Sequence, residues 1–114
     1  MKFISFSHNG QKKFGIINNN KITDLTGKIS NSNTLKDSIS NKGIYEAKDY
    51  AKNNPGDLNV SEVEYLPLIP NPGKIICVGL NYSEHVKETN RTVEENPVIF
   101  HRFPESQTAH LQSC

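Results

Sequence analysis

The stretch Lys74-Ile-Ile-Cys-Val-Gly-Leu-Asn-Tyr-Ser-Glu-His-Val-Lys-Glu88 decides how this chain is read. The apolar run Ile75 to Val78 reads as a strand covered on both faces, which places Cys77 in the interior. Gly79 permits a sharp exit from that strand and a close approach of backbone to a ligand. Asn81 suits the N-cap of a helix over residues 82–89, and Glu84 stands where a capping box needs an acid. On that helix His85 and Glu88 are three residues apart and share a face. A carboxylate that holds one imidazole nitrogen fixes the tautomer and raises the basicity of the other, so such a couple can move a proton from water or carbon. The same spacing also describes an ordinary solvated surface pair, and it does not separate the two readings.

Working outward, Pro97-Val-Ile-Phe-His-Arg-Phe103 reads as the next strand. Upstream, Val63, Tyr65, Leu66, Leu68 and Ile69 are interspersed with Pro67, Pro70 and Pro72, a pattern that predicts an extended, proline-stiffened linker. Residues 2–6, 13–18 and 21–25 read as three short strands of an antiparallel meander, with turns at His8-Asn9-Gly10 and Asn18-Asn-Asn20. Residues 26–43 offer only Leu35 and Ile39 as core candidates. Weak helices are expected near 34–39 and 43–53, the second ended by Asn53-Asn-Pro-Gly56. The prediction is an α+β chain: an N-terminal accessory unit over 1–70, then the beginning of a main domain over 71–114.

Bulk properties exclude several classes. A length of 114 residues suits one modest core. The formal net charge of +1 gives no field to recruit nucleic acid or an anionic membrane. The N-terminus lacks the apolar core of a signal peptide, and no segment approaches the roughly 18 apolar residues needed to span a bilayer. Cys77 and Cys114 do not make a disulfide framework. The expectation is a cytoplasmic protein with no nucleic-acid or membrane partner. The 14 Asn residues, against a Lys excess of 11 to 2 over Arg, read as a composition bias.

The run Pro70-x-Pro-Gly-Lys-Ile-Ile-Cys-Val-Gly-Leu-Asn-Tyr-x-x-His85-x-x-Glu88, followed by Glu95-Asn-Pro-Val-Ile-Phe100 and Arg102-Phe-Pro-Glu-Ser-Gln107, resembles the fumarylacetoacetate hydrolase family. The likeness is dense over residues 66–112, looser over 1–25, and absent over 26–61. It implies a small antiparallel N-terminal β unit followed by the first strands and lid helix of a mixed β-roll. It also implies chemistry on small 2-oxo or β-diketo acids: hydrolysis of a carbon–carbon bond beside a carbonyl, decarboxylation, or isomerisation. In the family a divalent cation, usually Mg²⁺, assists, and intact members form homodimers. His85 and Glu88 match the catalytic couple. Arg102, Gly79 and Asn81 are the substrate-binding candidates, with Arg102 readable either as the partner of a substrate carboxylate or as a strand-edge cation.

The family's metal ligands, a Glu-x-Glu pair and a later Asp, fall downstream of the matched stretch. Glu62-Val-Glu64 has the spacing but precedes the couple, so it is read as a decoy, and no metal ligand is assigned in this chain. His8 and His101 have no partner spacing that suggests a metal, and His110 reads as an exposed loop residue. The expectation is a truncated enzyme, inactive alone. The competing reading is a non-catalytic protein that binds a partner through an exposed edge at Pro97-Val-Ile-Phe100.

Overall fold

The computed structural model describes residues 1–79 and 98–112. Asn81, the expected helix over 82–89, and His85 and Glu88 lie outside them. Contacts divide the chain into two units: Met1–Asn71 with the segment from Gln107 onward, and Pro72–Ser106.

In the first unit, β1 (Lys2–His8), β2 (Gln11–Asn18) and β3 (Lys21–Asp24) form the meander. Its two hairpins close at Asn9-Gly10 and Asn19-Asn20, four residues with φ between 49° and 75°. Two-residue turns with both central φ values positive match the right-handed twist of the strands, and Asn and Gly enter that region at the least cost. Part of the Asn richness is therefore structural. Helix α1 (Leu35–Ser40) begins with a capping box: the Asp37 N–H donates to Thr34 Oγ1 at 3.1 Å, and the Thr34 N–H donates to Asp37 Oδ2 at 3.0 Å. Helix α2 (Ile44–Asn53) turns Ala47 and Ala51, four residues apart, into the core.

The proline-rich segment does more than link. Its upstream neighbours form β4 (Leu58–Asn59) on the outer edge of β3. Glu64–Tyr65 forms β5 on the other side of β1, giving a five-stranded order β4-β3-β2-β1-β5 with every pairing antiparallel. Alternation along the strands then sends apolar side chains to both faces. Phe14, Ile16, Leu25, Ile29 and Leu35 pack with the two helices, while Ile4, Phe6 and Ile22 pack with Leu58, Val60, Val63 and Tyr65. Two expectations fail here. Ile39 is 55% exposed, although Leu35 and Ser38 of the same helix are buried. Leu35 is not the sole core residue of 26–43, because Ile29 is buried as well, and Ala47 and Ala51 of α2 join the same cluster.

Asp24 ties β3 back to β2. Lys13 Nζ reaches its Oδ2 at 2.7 Å, and the Thr26 N–H donates to its Oδ1 at 2.9 Å. Burial pushes this carboxyl up, but the hydrogen bonds from Lys13 and Thr26 outweigh it and hold it below the ordinary carboxylate value. A folded value below the unfolded one gives stability that is fully present above about pH 4 and lost as pH falls through the folded value. Urea midpoints should therefore drop between neutral pH and pH 3, and Asp24→Asn should flatten part of that decline. A variant that loses as much as the wild type on acidification would show that the bridge carries no linkage.

The second unit is a two-stranded antiparallel ladder, β6 (Ile75–Gly79) with β7 (Val98–Arg102), in the register Ile75↔Arg102 to Gly79↔Val98. The expectation of a strand covered on both faces is corrected. Ile76 is 65% exposed, Ile99 62% and Phe100 50%, and Cys77 is only half-buried. Periodicity reads the burial a strand is built for, and among the described residues no third strand or covering layer joins this pair.

Candidate functional site

Of the sequence-predicted site residues, Gly79 and Arg102 are described, and they stand at opposite ends of the β6–β7 ladder. Gly79 pairs with Val98. A Cβ there would lie 3.5 Å from the Phe100 ring, an ordinary contact, so packing among the described residues does not demand glycine. Arg102 is exposed, and its Nη2 donates to the Ser106 carbonyl at 2.6 Å across the 3₁₀ turn Pro104–Ser106. That bond uses one of five guanidinium donors and orients the fork.

Around Arg102 the second unit carries a groove of about 500 Å³. Lys74 and His101 line it together with Ile76, Ile99 and Phe103, and among the described residues no carboxylate does. The imidazole of His101 stands edge-on to Phe103, with ring centroids 5.7 Å apart. Apolar walls with cationic heads suit a small anion with a carbon skeleton.

The carboxylates present do not fit a divalent cation. Glu62 closes the single 3₁₀ turn Val60–Glu62, where its Oε2 accepts from the Asn59 N–H at 2.7 Å and from Asn59 Nδ2 at 2.6 Å. The backbone hydrogen bond from Asn59 is the largest influence holding its carboxyl below the usual value. Glu64, on β5, accepts from Gln112 Nε2 at 3.4 Å. Hard cations need several converging oxygens, and among the described residues no three His, Cys, Asp or Glu side chains converge. Each glutamate is engaged elsewhere, Glu62 within its own turn and Glu64 with Gln112.

His110 is an exposed turn residue, as expected, and it also has a ring partner. It stands edge-on to Tyr65, with centroids 5.2 Å apart, beside a cavity of the first unit. A contact between residues 45 apart leaves no local pattern to read.

No protein-family model matches the chain. Individual proteins do. It is 48% identical over 46 residues to Oxaloacetate tautomerase Fahd2a, mitochondrial, of Rattus norvegicus, which covers 40% of this chain and 15% of that protein. Against the Xenopus laevis oxaloacetate tautomerase fahd2 it is 40% identical over 63 residues, 55% of this chain and 20% of the relative. A Dictyostelium discoideum fumarylacetoacetate hydrolase domain-containing protein 2 homolog is 50% identical over 32 residues, 28% of this chain and 10% of that protein. The matched stretch is one this chain shares with fumarylacetoacetate hydrolase domain-containing proteins, over about a quarter to just over half of its length. It spans a fifth or less of the length of these relatives.

An HpcE-like protein of the same family from Mycobacterium smegmatis superposes with a TM-score of 0.64 at 20% identity, over 90% of this chain and 36% of its own. The α+β architecture described above is thus one part of the family fold. Among the described residues, no helix is long and apolar enough to cross a membrane.

Proposed function

We propose that this chain carries the proton-transfer end of an enzyme site for small 2-oxo acids, and that the reaction is tautomerisation of an oxaloacetate-like diacid. The observation that carries the reading is the 48% identity to a protein named as an oxaloacetate tautomerase. Keto–enol exchange moves one proton from the carbon beside the ketone to the ketone oxygen and breaks no carbon–carbon bond. An imidazole steadied by a carboxylate suits that step: His85 takes the carbon-bound proton and delivers it to oxygen, while Glu88 fixes the tautomer. Arg102 pairs with a substrate carboxylate, and Gly79 and Asn81 are the other substrate-binding candidates. Carbon–carbon bond hydrolysis and decarboxylation act on the same class of oxo-acid and stand as the neighbouring reactions.

Mg²⁺ belongs to this proposal only through the family, and no step is assigned to it in this chain. The described carboxylates do not form its site, so we expect the 114-residue polypeptide alone to be inactive. A homodimer is the form proposed for full-length relatives. The relatives' names place them in mitochondria, while the sequence reading proposes the cytoplasm for this chain.

The test is to read the coding sequence past codon 114 and assay the longest product for decay of the enol absorbance of oxaloacetate. His85→Asn should lower the catalysed rate about 10²-fold or more, the usual scale for removing a general base. An active product indifferent to His85→Asn would remove His85 from the chemistry. Robust turnover by the 114-residue chain would overturn the expected inactivity.

A second reading is favoured by the exposure of Val98, Ile99 and Phe100 on a two-stranded ladder. An uncovered apolar strand pair can add a strand from a partner chain. Size-exclusion chromatography separates the outcomes: a discrete complex supports partner binding, and material in the void volume supports an orphaned sheet face.

A further inference from the structure

The first unit holds a groove of about 460 Å³ at the N-terminal end of β1, and none of the site residues assigned above is in its described lining. Its origin lies in how briefly β5 accompanies β1. The two strands pair only at Ser7↔Glu64 and Phe6↔Tyr65, and one further bond follows, from the Leu66 N–H to the Ser5 carbonyl at 3.0 Å. The chain then leaves the ladder. Ser5 Oγ donates to the Leu68 carbonyl at 2.7 Å, and Gln107 Nε2 donates to the Ile69 carbonyl at 3.3 Å, so this departing wall is held in place.

Strand geometry fixes what the departure leaves behind. In an antiparallel ladder, alternate residues turn both N–H and C=O to the same neighbour. Ser5 faces β5, so Phe3, two residues earlier, turns its N–H and C=O to that same side, where no strand residue stands opposite it. The open edge lies in a trough with Ile4 and Ala109 buried in its floor and Leu66 and Pro67 half-buried in its wall. Among the described residues, the ionisable side chains lining the trough are Lys2, His110 and Tyr65, and no Asp or Glu lines it. The nearest carboxylate of the wall segment, Glu64, is outside the lining and accepts from Gln112.

We propose that this groove is a docking site for a short extended peptide bearing a carboxylate, captured by strand addition to the open end of β1. Each feature selects part of that occupant. The exposed backbone pair of Phe3 recognises another backbone. The apolar trough takes one side chain of the added segment. The lining, with an ammonium and an imidazole but no carboxylate, favours an acidic residue or a chain end. With so few backbone bonds available, binding is weak and depends on all three parts.

The probe is a fluorescein-labelled pentapeptide Asp-Val-Thr-Val-Asp, titrated against the full 114-residue chain by fluorescence anisotropy at low salt. Saturable binding with Kd of about 10⁻⁴ M is expected, a few-fold either way, as suits a handful of contacts. N-methylation of the central threonine should weaken it at least about tenfold, because the methyl removes a donor and obstructs the ladder. Lys2→Glu should weaken it about fivefold or more, whereas the peptide with lysines at both ends should gain affinity for Lys2→Glu. Lys2 is exposed on the strand end, so this variant keeps the core. Three results each overturn the proposal: no saturable binding up to millimolar chain, equal binding of the N-methylated peptide, or a signal that sedimentation traces to pairing of two copies of the chain.

Discussion

Phe6→Ala should lower the stability of the first unit by about 3–5 kcal/mol, the range for removing a fully buried aromatic ring. Phe6 is 0% exposed and joins Ile4 and Ile22 in the smaller of the two apolar clusters. It also stands opposite Lys13 on β2 and Tyr65 on β5, so its ring supports three adjacent strands. With so few large side chains in that cluster, nothing nearby can collapse into the space. A unit of this size has a total stability on the order of 5 kcal/mol, so the variant should be largely unfolded at room temperature. Urea denaturation followed by circular dichroism measures it. Ile39→Ala is the control: with that side chain 55% exposed, the shift should stay within about 0.5 kcal/mol. A Phe6→Ala protein as stable as this control would mean that the face of the sheet carrying Ile4 and Ile22 is not a core.

That contrast shows what the sequence carries. The meander was legible because Phe3-Ile-Ser-Phe and Phe14-Gly-Ile-Ile sit between turns whose Asn and Gly residues tolerate positive φ. Both signals are local. The pairings of β4 with β3 and of β5 with β1 join residues 36 to 59 positions apart through two-residue strands, and no period appears in two residues. Pro67, Pro70 and Pro72 drew the reading toward a linker, although the chain enters the sheet just ahead of them. Ile39 is apolar and yet exposed, so residue type alone does not mark the buried side of a short helix.

The site divides along the same line. The pattern Asn-Tyr-x-x-His-x-x-Glu pointed to a family and to His85 and Glu88, which lie outside the described residues. Arg102 was legible by its place in the matched stretch, but its bond to Ser106 was not. Glu62 shows the opposite case: a carboxylate spacing that looks like a ligand pair is, in the fold, the closure of a 3₁₀ turn on Asn59. The groove at Lys2, Tyr65 and His110 brings together residues from both ends of the chain, and only the folded sheet reveals it.

Gly15→Ala should cost about 3 kcal/mol, the upper end of what overpacking a closed site costs. Gly15 has no positive φ to explain it. Its reason is proximity: a Cβ there would lie 2.3 Å from the Thr23 carbonyl oxygen and 3.1 Å from the Ile22 side chain. The close approach comes from the curl of the sheet at the end of β3. There Gly15 faces Asp24, the Leu25 N–H donates to the Phe14 carbonyl at 3.0 Å, and the Phe14 N–H donates to Thr26 Oγ1 at 3.1 Å. A methyl group at position 15 must push β3 outward. That movement strains the Lys13–Asp24 bridge and opens the cluster around Ile22. Loss of unfolded-state freedom returns less than about 1 kcal/mol, so the clash wins. Gly10→Ala separates this cause from backbone strain. At φ +75° a Cβ there would meet nothing within 4 Å, so that variant pays only the left-handed backbone cost of about 1–2 kcal/mol. Gly15→Ala should therefore unfold at lower urea than Gly10→Ala, and it should also show a weaker acid-dependent loss because its Asp24 bridge is already disturbed. If the two variants exchange places in that order, β3 does not close over β2 as described.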